Sequence, residues 1–214
     1  MVIQRPQIPQ DLAISCNVGE IISELMESGY DIENYQFKNG IFDCTSYSAM
    51  LFFNKCIFEK CTFNKSNNSH IFENTVFKDC DLNGMDFTDA GFNSVEFINC
   101  NMTGTNMTRA KLHDVTINEC SLRYSIFSNA DFTRVSIQKS NLSNCYIWEA
   151  TQKDLFFSEC NLTSAELAGT MLKGIDFTTS DIDGLLLRGP ELKGVIVNEF
   201  QALALSKILG IIIK

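Results

Sequence analysis

Beginning at Phe72, every fifth residue as far as Val197 is large and apolar. Phe72, Phe77, Leu82, Phe87, Phe92 and Phe97 open the series, and Leu187, Leu192 and Val197 close it. Gln152 alone breaks the run. In a chain that is 45% hydrophobic, random spacing would fill roughly half of these positions, so the period belongs to the fold. Two residues before each central position stands a second set that is mostly small, including Cys80, Ala90, Cys100, Thr105, Ala110, Cys120, Ser125 and Ala130. A period of five fits neither the 3.6 of an α-helix nor the 2 of a flat strand. It fits a chain that turns a corner every five residues, with one large and one small side chain pointing inward on each side. Four sides make a coil of about 20 residues, and coils stack at the roughly 4.8 Å spacing of paired strands.

Upstream the spacing persists with interruptions. Phe37 and Phe42 share one register, and Phe53, Phe58 and Phe63 another; the step from Phe63 to Phe72 is one residue short of two repeats, which predicts a bulge or small loop at 64–71. Residues 1–34 form an N-terminal segment outside the repeat. Within it Asn17 and Glu20 have capping-box spacing, Val18, Ile21, Ile22, Leu25 and Met26 form an apolar stripe, and Gly29 supplies a stop. A helix over 18–28 is therefore expected to cover the first coil. The repeat occupies 35–198, about eight coils and a rod near 40 Å long at the strand spacing. Residues 199–214 read as a C-terminal helix followed by an apolar tail. Their apolar surface, Phe200, Leu203, Leu205, Leu209, Ile211 and Ile213, exceeds what capping one coil requires and predicts a homodimer interface.

Seventeen Lys+Arg against 26 Asp+Glu give a net charge of −9. This argues against direct nucleic-acid binding through phosphate neutralisation and leaves two readings, a basic protein partner or an acidic surface that only keeps a repeat protein soluble. The N-terminus has no apolar signal-like region and no stretch approaches 18 apolar residues, so a cytoplasmic protein without membrane association is expected. Seven of the nine cysteines, Cys56, Cys61, Cys80, Cys100, Cys120, Cys145 and Cys160, fall two residues before a central position and read as small core residues. The column Cys80, Cys100, Cys120 leaves a metal or disulfide ladder as the minor alternative. His70 and His113 are the only histidines, no nucleophile, metal or phosphate-binding motif accompanies them, and Asp181 and Asp183 fall on the outside of a convex coil. No catalytic activity and no cofactor are expected. Gln152 predicts either a local distortion with its amide bonded to backbone or, with Trp148, an exposed contact patch.

Because residues 20 apart share a side, outward charges can be assigned to faces. The side through Phe77, Phe97, Ile117, Ile137, Phe157, Phe177 and Val197 carries Asp79, Glu96, Glu119, Glu159, Asp176 and Glu199 against Lys78 and Lys139. These six acids are the candidate partner-binding residues. Three adjacent sides have an acidic excess, and the side through Phe72 and Leu112 is balanced.

The units Ala130-Asp131-Phe132, Cys100-Asn101-Met102, Ser140-Asn141-Leu142 and Cys160-Asn161-Leu162 resemble the A(D/N)LXX unit of the pentapeptide-repeat family. The resemblance covers roughly Tyr35 to Glu199. It implies an all-β fold, a right-handed quadrilateral β-helix. Within that family the C-terminal part resembles the Qnr proteins, through Asp181-Ile182-Asp183-Gly184-Leu185, Arg188, Leu192-Lys193-Gly194-Val195, Gln201, Leu205 and Leu209-Gly210-Ile211, and through Cys145 to Glu149. That resemblance implies a DNA-mimicking homodimer, joined through C-terminal helices, that binds DNA gyrase and topoisomerase IV and protects them from quinolones. The repeat runs without interruption from Phe72 to Val197, so the second projecting loop of the plasmid-borne Qnr proteins is absent. In this the sequence is closer to chromosomal Qnr-like proteins of Gram-positive bacteria and to the mycobacterial MfpA type, and inhibition of gyrase becomes as plausible as protection. The alternative is a pentapeptide-repeat scaffold with a different, basic partner.

Overall fold

The computed structural model describes residues 2–28, 31–43, 50–64 and 70–212. Gly29, the expected stop of the first helix, most of the 64–71 interruption and Ile213 lie outside the described residues. The chain forms a parallel β-solenoid with a short helix at each end. In order these elements are β1 (Ala13–Ser15), α1 (Val18–Ser28), β2 (Ile32–Glu33), β3 (Tyr35–Lys38), β4 (Ile41–Asp43), β5 (Phe52–Asn54), β6 (Ile57–Glu59) and β7 (Thr62–Asn64). Five longer strands follow, β8 (Ile71–Lys78), β9 (Gly91–Ile98), β10 (Lys111–Asn118), β11 (Asp131–Gln138) and β12 (Thr151–Ser158), and then α2 (Glu199–Ser206).

Pairing climbs in parallel through β1, β3, β6, β8, β9, β10, β11 and β12. From β8 upward the step is one coil of 20 residues, so Phe77 pairs with Phe97, Phe97 with Ile117, Ile117 with Ile137 and Ile137 with Phe157. Below it, Phe37 pairs with Phe58 and Phe58 with Phe77. The first of these coils is one residue long and the second one residue short, and the two irregularities cancel so that the inward columns stay aligned.

From β8 to β12 two sides of each coil are one long strand bent at a left-handed residue, at Asn74, Ser94, Asp114, Arg134 and Asp154. The other two sides are turns. Met85 N–H donates to Leu82 O at 3.1 Å and Ala90 N–H to Phe87 O at 3.0 Å, with positive φ at Gly84 and Asp89, which is the type II signature. From Asn74 to Gly194 a left-handed residue stands two positions after every central residue except Phe177. Side-chain bearing residues tolerate that conformation here because their N–H groups bond to the next coil, as Asp79 does to Ile98 O at 2.9 Å. On the turn sides the Asp or Asn that precedes a central residue also has a local task. Asp81, Asp86, Asn101, Asn106, Asn141, Asn161, Asp176 and Asp181 each accept the N–H two residues on through Oδ1, an Asx turn that starts the corner.

The core is a set of stacked columns. Phe58, Phe77 and Phe97 lie 5.0 and 4.9 Å apart with nearly parallel rings, and Phe53, Phe72 and Phe92 repeat this at 5.1 and 5.3 Å. All are buried, so each contributes roughly 2–3 kcal/mol of apolar burial with ring stacking in addition. At the lower end α1 inserts Val18 and Ile22 into the core, with Asn17 Oδ1 accepting the Glu20 N–H. It closes on Gly40, where a Cβ would come 2.7 Å from Val18 Cγ2. At the upper end Asn198 and Gln201 form a reciprocal capping box, and the Gln201 amide also donates to Phe177 O and Ser180 O at 2.8 Å each, fastening α2 to the last coil. The helix is shorter than the apolar pattern suggested. After Ser206 the chain tightens into three-residue bonds, Ile208 N–H to Leu205 O among them, and reaches Gly210 at φ +70°.

Candidate partner-binding face

The six acids assigned to one side fall into three groups. Asp79, Glu119 and Glu159 stand in one corner column with Asn99 and Lys139 between them and Thr179 beyond. The three acids are left-handed, with φ of 55°, 56° and 53°, so they occupy equivalent backbone positions two coils apart, about 9.6 Å at the strand spacing. Asn99 Nδ2 donates to Asp79 Oδ1 at 2.7 Å, while Glu119 and Glu159 are exposed. Glu96 and Asp176 instead lie in the middle of the side. Asp176 accepts both the N–H and the hydroxyl of Thr178, which hold its carboxyl below the ordinary range. Glu199 lies off the solenoid, in the first turn of α2.

A feature that the repeat does not announce crosses this face. Residues 2–12 run down the rod, toward β1, as an extended strap. Gln7 N–H donates to Asn74 Oδ1 and Gln4 N–H to Asp114 Oδ1, both at 3.1 Å, and Arg5 Nε lies 3.8 Å from Glu96 Oε1. Asn74 and Asp114 belong to the bent column inside the long strands, two coils apart. Asp114 is 1% exposed at its side chain, although a corner side chain ordinarily faces water. Arg134 makes two bonds to it, Nε to Oδ1 at 2.7 Å and Nη2 to Oδ2 at 2.6 Å. His113 Nδ1 is 3.4 Å from Oδ2, and His113 Nε2 touches Arg134 Nη2. The guanidinium holds the Asp114 carboxyl below the usual carboxylate range. The only sequence signal for the strap is the three-residue spacing of Ile3, Pro6, Pro9 and Leu12, all half-buried.

The remaining candidates are placed plainly. Gln152 is half-buried and its amide donates to Met171 O and Lys173 O at 3.2 and 3.3 Å, the backbone-bonded arrangement, while the strand register passes through it undisturbed. Trp148 is 40% exposed and donates to Glu166 Oε2 at 3.1 Å. The seven cysteines are buried and unbridged, with Sγ groups donating to nearby carbonyls, as Cys80 does to Lys78 O. His70 is buried and takes the Leu51 N–H on Nδ1, and burial lowers its pKa to about 4. Of the C-terminal apolar residues, Phe200, Leu203, Leu209 and Ile211 are exposed, Phe200 at 75%. Leu205, expected on the same surface, faces the chain's own core and is 6% exposed, because the capping box orients that side of α2 onto the last coil. No helix among the described residues is long and apolar enough to cross a membrane.

Family models agree with this architecture. The model described as pentapeptide repeat region matches residues 51–127 and 70–147, and the model of eight pentapeptide copies matches 153–181. The chain belongs to the pentapeptide-repeat family. Solved structures of pentapeptide-repeat proteins align along most of it. A trypsin-treated variant of QnrB1, a plasmid-mediated fluoroquinolone resistance protein, is 18% identical, covering 86% of this chain and 100% of its own, with a TM-score of 0.42. HetL, involved in heterocyst differentiation regulation in the cyanobacterium Nostoc sp. strain PCC 7120, is 15% identical over 86% and 98% of the two chains, with a TM-score of 0.39. A thylakoid-lumen pentapeptide-repeat protein of Arabidopsis thaliana is 17% identical over 60% and 75%, with a TM-score of 0.23. No curated protein sequence matches the chain.

Proposed function

We propose that this pentapeptide-repeat protein is an acidic, DNA-like rod that binds DNA gyrase or topoisomerase IV in the groove meant for DNA, inhibiting the enzyme and reducing its trapping by quinolones. The observation that carries the reading is the corner column of Asp79, Glu119 and Glu159, acids on one backbone conformation at a two-coil interval, with Lys139 between the last two, together with the Qnr-like residues of the C-terminal coils, Asp181 to Leu185 and Leu192 to Val195. A regular row of carboxylates on a straight rod presents to a basic groove the spacing of a polyanion, at lower charge density than a duplex. The exposed Phe200, Leu203, Leu209 and Ile211 support association of two rods end to end through the C-terminal region.

The test is supercoiling by purified gyrase across a titration of the protein, with and without a quinolone. Rescue of supercoiling in the presence of drug is the expected result. Inhibition without rescue would leave a DNA mimic that does not protect, and no effect either with or without the drug would remove the reading in favour of a scaffold with another partner. Light scattering on a chain truncated after Glu199 tests the dimer, which is expected to fall to monomer.

A further inference from the structure

The strap is bound in the manner of a ligand. Its two anchoring N–H groups, on Gln4 and Gln7, meet acceptors two coils apart. Two coils measure about 9.6 Å, and three residues of polyproline II measure about 9.3 Å. Helix and rod are therefore commensurate: one turn of a polyproline II chain advances one acceptor of the column Asn74, Asp114. Ile3, Pro6, Pro9 and Leu12 are half-buried at the three-residue interval that such a helix would have, with Ile8 half-buried beside them, and Arg5, itself largely exposed, lies 3.8 Å from Glu96. The receiving side is built from the solenoid itself, since Asp114 is held in place by Arg134 and His113.

The same surface continues beyond the strap. Beside the strap, and walled on one side by its Ile3 and Arg5, a groove of about 630 Å³ is lined by Ser136, Gln138, Phe156, Asp176 and Thr178. Phe156 is 40% exposed in it. The next member of the acceptor column at the two-coil interval is Asp154, which is left-handed like Asn74 and Asp114 and exposed. We infer that this column and groove form a binding site for an extended, proline-containing peptide of a protein partner, carrying an arginine and an apolar or proline residue at every third position, and that the N-terminal strap is its intramolecular occupant. Backbone N–H groups at three-residue intervals meet Asn74, Asp114 and Asp154, the arginine meets Glu96 or Asp176, and the apolar edge lies on the bent strands and Phe156. A preformed polyproline II ligand loses little conformational entropy on binding, which suits a shallow groove.

The probe is a fluorescein-labelled synthetic peptide of residues 2–12, measured by anisotropy against the full chain and against Q4P/Q7P. The two prolines keep the strap's preferred backbone but remove the N–H groups that Asp114 and Asn74 accept. Hydrogen exchange over residues 2–12 reports release of the strap, and deletion of residues 2–9, which retains β1, opens the site by a second route. The expected result is binding at least tenfold tighter to both opened variants than to the unmodified chain, weakened tenfold or more by Glu96→Lys and several-fold by Phe156→Ser. Absence of binding to the deletion variant would overturn the inference, as would equal binding of a scrambled peptide of the same composition, which would reduce the site to general charge attraction. No topoisomerase enters the measurement, so its failure and failure of the DNA-mimic reading are separable.

Discussion

Replacing Glu119 and Glu159 together by lysine tests whether the corner column is what a basic partner meets. The substitution is conformationally clean. Lys139 already occupies the same column between them at φ 47°, and Lys55 and Lys60 adopt φ 54° at equivalent corners, so lysine enters without new backbone strain. A unit charge on the partner about 6 Å from each carboxylate contributes roughly 0.7 kcal/mol in water. Screening at physiological salt, with a Debye length of about 8 Å, leaves roughly 0.3 kcal/mol. Reversal changes the charge by two units at each of two sites, a loss of about 1.3 kcal/mol, or about tenfold in Kd. At 1 M salt the Debye length shrinks to about 3 Å and the same double variant is expected to differ only about twofold. Binding to immobilised gyrase by surface plasmon resonance at the two salt concentrations is the assay. Glu149→Lys, at the diagonally opposite corner in a column that already contains Arg109, serves as control and is expected to stay within twofold. Unchanged affinity of the double variant, or a loss that does not diminish with salt, would refute the electrostatic contact.

Three further outcomes follow from the packing. His70, with a folded pKa of about 4 against an ordinary 6.5, binds its proton in the unfolded chain first. Its neutral form therefore stabilises the fold fully above about pH 6.5, and that stability is lost as pH falls from 6.5 to 4, by about 3 kcal/mol in all; urea titrations across this range are expected to lose that slope in His70→Gln, and a slope that persists would place the titration elsewhere. Gly40→Ala drives a methyl against Val18 Cγ2 and Cys16 O and is expected to cost about 1–3 kcal/mol, with faster hydrogen exchange confined to α1 and its contacts. Alkylation of the native protein is expected to modify exposed Cys16 and to spare the buried thiols, of which Cys56 and Cys145 are pushed to about 12 by burial; peptide mapping that finds Cys145 labelled in the folded state would contradict the packed column.

Much of the solenoid is legible because its inward positions admit no compromise. A residue such as Phe97, stacked on Phe77 at 4.9 Å, has no exposed alternative, and the interval of five therefore survives as a nearly unbroken series. The capping box of Asn198 with Gln201 and the N-cap bond from the Glu20 N–H to Asn17 Oδ1 are legible for the same reason: their partners are three residues away. The box expected at Asn17 is only half made, because the Asn17 N–H goes to Ser15 Oγ and not back to Glu20. The bent column is not. Nothing in the residue types Asn74, Ser94, Asp114, Arg134 and Asp154 says that these corners differ from the exposed corners around them, and the burial of Asp114 depends on Arg134 one coil above and on a strap more than a hundred residues away in sequence. Leu205, apolar like its exposed neighbours but buried, meets a related limit. An apolar helix pattern tells which residues need cover, and the tilt fixed by Gln201 on Phe177 O and Ser180 O decides which of them obtain it from the chain itself.

The Asx turns separate the protein's charge from its fold. Asn101, Asn141 and Asn161 start their corners with the same Oδ1 acceptance as Asp81 and Asp181 in the same column, and Asn106 does so as Asp86 does one coil below. The turn needs an oxygen two residues before the accepted N–H, and amide and carboxylate supply it alike. Each such position can therefore change by one unit of charge with the corner retained. The left-handed corners behave in the same way, since Glu119, Lys139 and Glu159 hold one backbone conformation with opposite charges. A solenoid of this kind fixes where a charge stands, to within the coil spacing, while leaving its sign open. The net −9 of this chain is then a property of the surface that its partners meet, set independently of the columns of phenylalanine and cysteine that hold the coils together.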